Sequence, residues 1–564
     1  MLRLRREVGD AIQSRFQPDR SKYYNLVKVV QECHPLPVEV LRGLSDNVSL
    51  IDTSCKSLLN ALFAVKLHEH DREWMLAYSV FFENLVSAQA CHLKAVAQHV
   101  TRLFCVYTRD ATFDIVHNMI VTIVRLCPSG PKFLLPFVAK HFPFKDDPVP
   151  LVRRYVQHWL RLGRAIPLMR QPVFAILVRR LLSWDVELHS GYDPDKLDLD
   201  AVIERTVLRA RYEQEKTAAE AAGQPFDDEI GDDQIITTDL GQLFIRIDVF
   251  LTTLLEELRW LQKHLEETEL EAFFTHSLSL LDEMVALRSS YTQYLWFFMA
   301  SLHPNFANGM IGFLLMKFVD TDAHMSVRTG AASYLGSYLA RAAYLPPAML
   351  KMSARILMNW CVTYAQSPPA LRAHDSDTPD FATPAESRLT KARIERHAVF
   401  YYAFQALIYT LCFHWRTLLL DEAMPSASES RRHDADADEN EEEDEDDAAS
   451  LRSEMPVLQE VMQSRLQPLR VCQKHVVDRF AKVVHGLEIF YVDTASGRAA
   501  ASMAAARERL LSAPAPRIDP DFSYEPVTFH LAKTFIDPLY KDLELLDGED
   551  DEDDEDTASD TSSD

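Results

Sequence analysis

Apolar side chains recur at every third or fourth position through almost the whole of this chain, a period that α-helices bury and strands do not. Val48, Ile51, Cys55, Leu58, Leu59 and Leu62 fall on one helix face, as do Val327, Ala331, Tyr334, Leu335, Tyr338, Leu339 and Ala342. Strand-like alternation is rare. Short punctuators separate the runs: Pro128 to Pro131, Pro143, Pro148 to Pro150, Pro167, Pro304 and Pro346-Pro347. Helix, short turn, helix is the repeating unit. Glycine, at 15 of 564 residues, is far below its usual share of about 7%.

Many amphipathic helices joined by short turns predict an all-α fold of degenerate HEAT or armadillo-like repeats, with a large globular all-α fold as the competing arrangement. The expected layout is an N-terminal segment over residues 1–19, a helical solenoid over 20–513, an extended segment over 514–546 packed on it, and an acidic tail over 547–564. Loops are expected at 218–233 and 367–387. An acidic insert spans 425–453, where mutual repulsion opposes packing and disorder is expected. The net charge is −25, and two stretches hold 22 of the negative charges: 11 carboxylates in 434–447 and 11 in 547–564, none with Lys or Arg. The body is therefore nearly neutral.

Several chemistries are excluded by spacing. No two glycines stand at the separation that a dinucleotide fingerprint, a nucleophile elbow or a P-loop requires. The eight cysteines are never closer than 14 residues, so no CxxC pair exists and they read as reduced, mostly buried thiols. His68-Glu69-His70-Asp71 is the densest set of metal-ligating types, but residues two apart on a helix do not share a face. No metal, cofactor or catalytic site is expected. The start, Met1-Leu-Arg-Leu-Arg-Arg-Glu, has no apolar signal region, which points to a cytosolic or nuclear protein. Ala398 to Phe413 is the most membrane-like stretch, but it is interrupted by Gln405, and at 16 residues it is short for a bilayer, which takes roughly 20. It reads as a buried core helix, and no membrane contact is expected.

Arg153, Arg154, His158, Arg161 and Arg164 form a basic stripe at near-helical spacing, suited to phosphate or to an acidic partner; the bland alternative is a solvated face. Strong binding to free DNA is not expected from so nearly neutral a body. In the acidic tail, Thr557 and Thr561 each have an aspartate three residues on, the pattern of an acid-directed kinase, and Ser426 has Glu429.

Seven collinear blocks carry a family resemblance: LVSAQ (85–89), FLLPFVAKHFPFK (133–145), LLSWDVEL (181–188), VRTGAASYLGSYLARAAYLPP (327–347), FYYAFQALIYTLCF (400–413), RLQPLRVCQKHVV (465–477) and KTFIDPLY (533–540). Together they resemble the RNA polymerase I-specific transcription initiation factors, the transcription initiation factor IA family, across residues 60 to 540. The resemblance implies a HEAT-repeat protein without catalysis in the nucleus and nucleolus. It would bind RNA polymerase I, bridge it to promoter-bound core factor at ribosomal DNA, and be controlled by phosphorylation. It places promoter-factor contact at Leu339, Ala340, Arg341 and Ala342, although Ala343 stands where animal relatives have lysine. The same residues also fit the apolar stripe of their helix. Polymerase contact is placed at Ser79, Ser87 and Gln89, without the dense serine cluster of the family. A homodimer of the free protein stays open, and a transport or trafficking adaptor on the same architecture is the rival reading.

Overall fold

The structure, a computed structural model, describes residues 2–33, 35–67, 70–105, 110–190, 201–202, 204–209, 211–212, 239–287, 289–367, 391–420, 450–490, 517–518 and 529–543. The loops expected at 218–233 and 367–387, nearly all of the acidic insert and the 547–564 tail lie outside the described residues, apart from Ser367 and residues 450–453. The described chain divides into two compact units, one ending at Leu280 and rejoined by residues up to Ala532, the other made of the rest.

The first unit contains α1 (Leu2–Gln13), α2 (Ser21–Glu32), α3 (Val38–Asp46), α4 (Lys56–Phe63), α5 (Arg72–Ala88), α6 (Leu93–Arg102), α7 (Asp110–Leu126), α8 (Gly130–Lys140), α9 (Val149–Ala165), α10 (Pro167–Ser190) and α11 (Asp239–His264). Most of these helices pack on the one two ahead. α1 meets α3, α3 meets α5, α5 meets α7, α7 meets α9 and α9 meets α11, while α2 meets α4 and α6, α8 and α10 follow one another. This is the pattern of stacked helical hairpins in two layers. It begins earlier than the sequence spacing indicated: residues 2–13, placed outside the array, form a helix that buries Val8, Ala11 and Ile12 against its neighbours. Three arginines in its first turns disguise that short apolar stripe.

The division falls within α12 (Glu267–Leu287). The second unit continues with α13 (Tyr294–Ser301), α14 (Pro304–Val319), α15 (Met325–Arg341), α16 (Pro347–Ala365), α17 (Lys391–Arg396), α18 (Ala398–Phe413), α19 (Trp415–Leu419), α20 (Met455–Met462), α21 (Pro468–Val471), α22 (Lys474–Gly486) and α23 (Lys533–Ile536). Every residue of α18 from Val399 to Phe413 is buried, because α15, α16 and α22 surround it. Gln405, a polar residue buried within it, accepts the Gln473 N–H (2.8 Å). The chain is already packed at Leu451, fully buried in a short 3-10 turn, so the acidic insert ends before residue 453.

Prolines start helices here as their fixed φ and missing N–H favour. Pro304, Pro347 and Pro468 stand at helix beginnings, and Pro148 and Pro346 hold the residue ahead of a helix extended. Asp71 caps α5 by accepting the Trp74 N–H (2.8 Å). Among the described residues no named strand occurs, only an isolated antiparallel bridge between Ala342 and Tyr540.

The C-terminal stretch is fastened by polar contacts. In the first unit the carboxylate of Asp248, on α11 and 1% exposed, accepts three successive backbone N–H groups, from His530 (3.0 Å), Leu531 (2.7 Å) and Ala532 (2.9 Å). Burial raises the Asp248 carboxyl above its ordinary value while these donors pull the other way. The chain then enters α23 and a 3-10 turn at Asp537–Leu539, so the segment is partly helical where an extended course was expected.

Candidate functional site

Two of the seven blocks, 327–347 and 533–540, meet in space. Lys541 N–H donates to Arg341 O (2.7 Å), and Ala343 N–H donates to Leu539 O (3.0 Å). Leu339, Ala340 and Ala342 are fully buried, so these three are core and offer a partner no side-chain surface. Their burial follows from the stripe that includes Tyr338 and Leu335. Arg341 is half-buried with its guanidinium over the Phe413 ring (4.3 Å) and the Tyr540 ring (5.0 Å). Tyr344 OH donates to Phe297 O (2.7 Å) beside it.

On α5 the serines separate. Ser79 is buried at 5% exposure and donates to Glu83 Oε1 (2.8 Å), which removes it from any docking surface. Ser87 is exposed in the last turn. Gln89 is half-buried and donates to Ser49 O (3.0 Å). Two residues that the sequence reading passed over share the outer face with Ser87: Leu76 (45% exposed) and Val80 (48%). With Asn84 they step by four along the helix. The signal available in sequence was their apolar character on the face opposite Trp74, Tyr78 and Phe81.

The basic stripe does not form as a free surface. Arg153 pairs with Glu256 (3.0 Å), Arg161 with Asp114 (2.7 Å), and Arg164 donates through Nε and Nη2 to Glu257 Oε2 (2.8 and 2.5 Å). Arg154 lies over Phe113 (5.7 Å). His158 is buried, with Nδ1 3.1 Å from His117 Nε2 and its ring against Phe104 and Phe113. Burial pushes His158 down to about 4 and His117 down to about 3, so His158 adds no charge at neutral pH. The expected stripe loses a member to the core and three arginines to acids of α7 and α11.

His99, donor or acceptor to Tyr78 OH (2.6 Å), is likewise pushed by burial to about 4. All three values lie below the ordinary 6.5 that an unfolded histidine keeps. The unfolded chain therefore binds more protons as pH falls from 6.5 towards 4, and stability falls with it. Each histidine contributes up to about 1.4 kcal/mol per pH unit over that window. Urea midpoints should drop steadily between pH 6.5 and 4.5, and His99→Gln should flatten part of the slope; midpoints independent of pH would contradict this.

Among the described residues no group of three or more metal-ligating side chains gathers, and no helix is long and apolar enough to cross a membrane. His68 and Glu69 lie outside the described residues; Asp71 is a helix cap and His70 stacks on Trp74 (3.8 Å). All eight cysteines are unpaired; Cys33 and Cys91 are exposed and Cys55, Cys361, Cys412 and Cys472 buried. Thr557, Thr561 and Ser426 lie outside the described residues.

Comparison with known proteins gives a coherent result. The profile of the family "RNA polymerase I specific transcription initiation factor RRN3" matches residues 2–547. The chain belongs to the RRN3 family. It is 24% identical over 528 residues to the RNA polymerase I-specific transcription initiation factor rrn3 of Schizosaccharomyces pombe, covering 91% of this chain and 80% of the relative. It is 24% identical over 536 residues to the RRN3 factor of Mus musculus, covering 88% and 74%. A crystal structure of RNA polymerase I transcription initiation factor Rrn3 shares the fold, with a TM-score of 0.68 at 17% identity over 95% of this chain and 97% of that one. In this member of the RRN3 family, the GSYLARA and KTFIDPLY blocks are two halves of one structural joint, 200 residues apart in the chain.

Proposed function

We propose that this chain is a non-catalytic transcription initiation factor that binds RNA polymerase I and bridges it to promoter-bound core factor at ribosomal DNA, in the nucleus and nucleolus. The observation that carries this reading is the match to the RRN3 family over residues 2–547. The exposed face of α5 supports a polymerase contact: Leu76 and Val80 give an apolar centre and Ser87 an accessible hydroxyl at its edge. A phosphate on Ser87 adds about −1.5 to −2 charges at a helix C-terminus, where negative charge is unfavourable, and so opposes docking. Thr557, Thr561 and Ser426 are further candidates for such control. For the promoter factor, Arg341 is the one residue of Leu339, Ala340, Arg341 and Ala342 that is not buried, and it is shared with Tyr540.

The test is co-elution of the purified chain with RNA polymerase I, with RNA polymerase II as control. A one-to-one complex with the first enzyme alone is expected, and Leu76→Asp with Val80→Asp should abolish it while leaving the thermal melt intact. Failure of the folded, unphosphorylated chain to co-elute at low salt overturns the reading.

A further inference from the structure

The turn between α21 and α22 gathers cations that no acid neutralises. From Val461 to Val477 the chain carries Arg465, Arg470 and Lys474 and no Asp or Glu. Folding adds another cation from 45 residues away: Arg517 Nη1 donates to Cys472 O (3.0 Å). The same stretch is held by Ile518 N–H donating to Val471 O (3.0 Å) and by Gln473 Nε2 donating to Ile518 O. Arg470, Lys474 and Arg517 are all exposed. The hydrogen bonds of the two arginines go to neutral groups, Arg470 to Gln467 Oε1 (3.1 Å) and Arg517 to Cys472 O. Among the described residues no ion pair joins any of the three to an acid, and no acid stands in the first turn of α22. Like charges on one turn repel, and an anionic occupant relieves the repulsion. The described chain ends close by. Lys541 N–H donates to Arg341 O (2.7 Å), Arg341 lies over Phe413, and Cys412 Sγ is 3.9 Å from Val476 O in the first turn of α22. The residues after Leu543 therefore start about two helix diameters, roughly 20 Å, from Lys474. At ~3.4 Å per residue, about six residues bridge that distance. Residues 547–564 then bring 11 carboxylates and no base. The acidic insert, in contrast, carries Arg431 and Arg432 at its start and re-enters at the other end of α22, where Arg452 donates to Leu487 O (3.1 Å).

We propose that the acidic tail, residues 547–564, docks on the cation cluster of Arg470, Lys474 and Arg517, and that phosphate on Thr557 and Thr561 tightens the docking. Charge complementarity and the place where the described chain ends commit the occupant to the tail. Each phosphate adds about −1.5 to −2 charges to a segment tethered at an effective concentration of ~mM. The tail is then a cover whose grip on the surface is set by an acid-directed kinase. Because the three cations face solvent, salt screens the attraction, with a Debye length of about 10 Å at 0.1 M. The docking involves no part of the polymerase contact, and the isolated full-length chain is enough to test it.

The experiment joins lysines to touching carboxylates in the full-length chain with a zero-length carbodiimide and reads the linked peptides by mass spectrometry. Lys474 should be linked to residues 547–556, with a yield that falls about fivefold when salt is raised from 0.05 to 0.5 M. Prior phosphorylation of Thr557 and Thr561 should raise the yield about twofold. Arg470→Glu with Arg517→Glu should cut it about tenfold with the thermal melt unchanged. Should that double variant fail to fold, Arg470→Glu alone, whose side-chain partner is Gln467, should still cut it about threefold. No link from Lys474 to the tail, or a yield indifferent to salt and to charge reversal, overturns the proposal. A link from Lys474 to residues 434–447 instead also overturns it, by assigning the cluster to the insert. So does a tail link that forms only between chains in a mixed nitrogen-14 and nitrogen-15 sample, by giving the tail to a second copy.

Discussion

Replacing Gly336 by alanine should lower the stability of the second unit by about 3 kcal/mol, and Gly336→Leu should leave it unfolded at 37 °C. A Cβ at this position would fall 2.5 Å from the Ala406 Cβ and 2.6 Å from its Cα. Neither atom has a flexible end that gives way, because α18 is enclosed on its other sides. α15 and α18 must then separate, and the packing of Leu335, Leu339 and Phe413 loosens together. Ala406→Gly in the Gly336→Ala background should recover only part of the loss, since the clash with the main chain of residue 406 remains. Gly312 makes the control. It sits exposed inside α14 with no atom within 4 Å of an added Cβ, so Gly312→Ala should stabilise by about 0.5–1 kcal/mol through helix propensity and a less free unfolded chain. Thermal melts of the two alanine variants should move in opposite directions. Equal shifts would show that close packing at Gly336 does not set the stability of the unit.

The second large effect is expected at the Arg164–Glu257 pair. Glu257 is 3% exposed, and burial raises its carboxyl against the pull of Arg164, whose guanidinium also lies over the Trp260 ring (4.4 Å). Arg164→Ala leaves a buried carboxylate without its main partner and should cost about 3 kcal/mol. The loss should shrink at low pH, where Glu257 takes up a proton in the folded state. Arg164→Met with Glu257→Leu should return most of the stability, because removing both charges also removes their desolvation cost. Urea denaturation at pH 7 and pH 5 checks both statements. A single variant as stable as the unaltered chain would show the pair to be an ordinary surface contact, worth little. The result also bears on partner binding, since an arginine committed to a buried acid is not available to a phosphate.

Much of the fold was legible in the order of residues. Periods of three and four gave the helices, prolines gave their starts, and Ala398 to Phe413 announced a helix enclosed on every side. These are local properties, written within one or two turns of the residues concerned. The candidate sites were less legible. His158 has the spacing of a basic stripe, yet its ring lies among Phe104, Phe113 and His117, and spacing says nothing of which face meets a neighbour. The resemblance placed Ser79 and Ser87 in one polymerase contact, but eight residues rotate a helix by roughly 80° from register, enough to bury one and expose the other.

By itself, then, the sequence determined an all-α chain of stacked hairpins with its negative charge gathered in two segments, because periodicity and composition are fixed residue by residue. The tertiary structure alone decided that the Arg341 block and the Tyr540 block are one joint, and that the arginines of α9 are committed to acids of α7 and α11. Those pairings span tens to hundreds of residues, and only chain folding converts such separations into distances of a few ångströms.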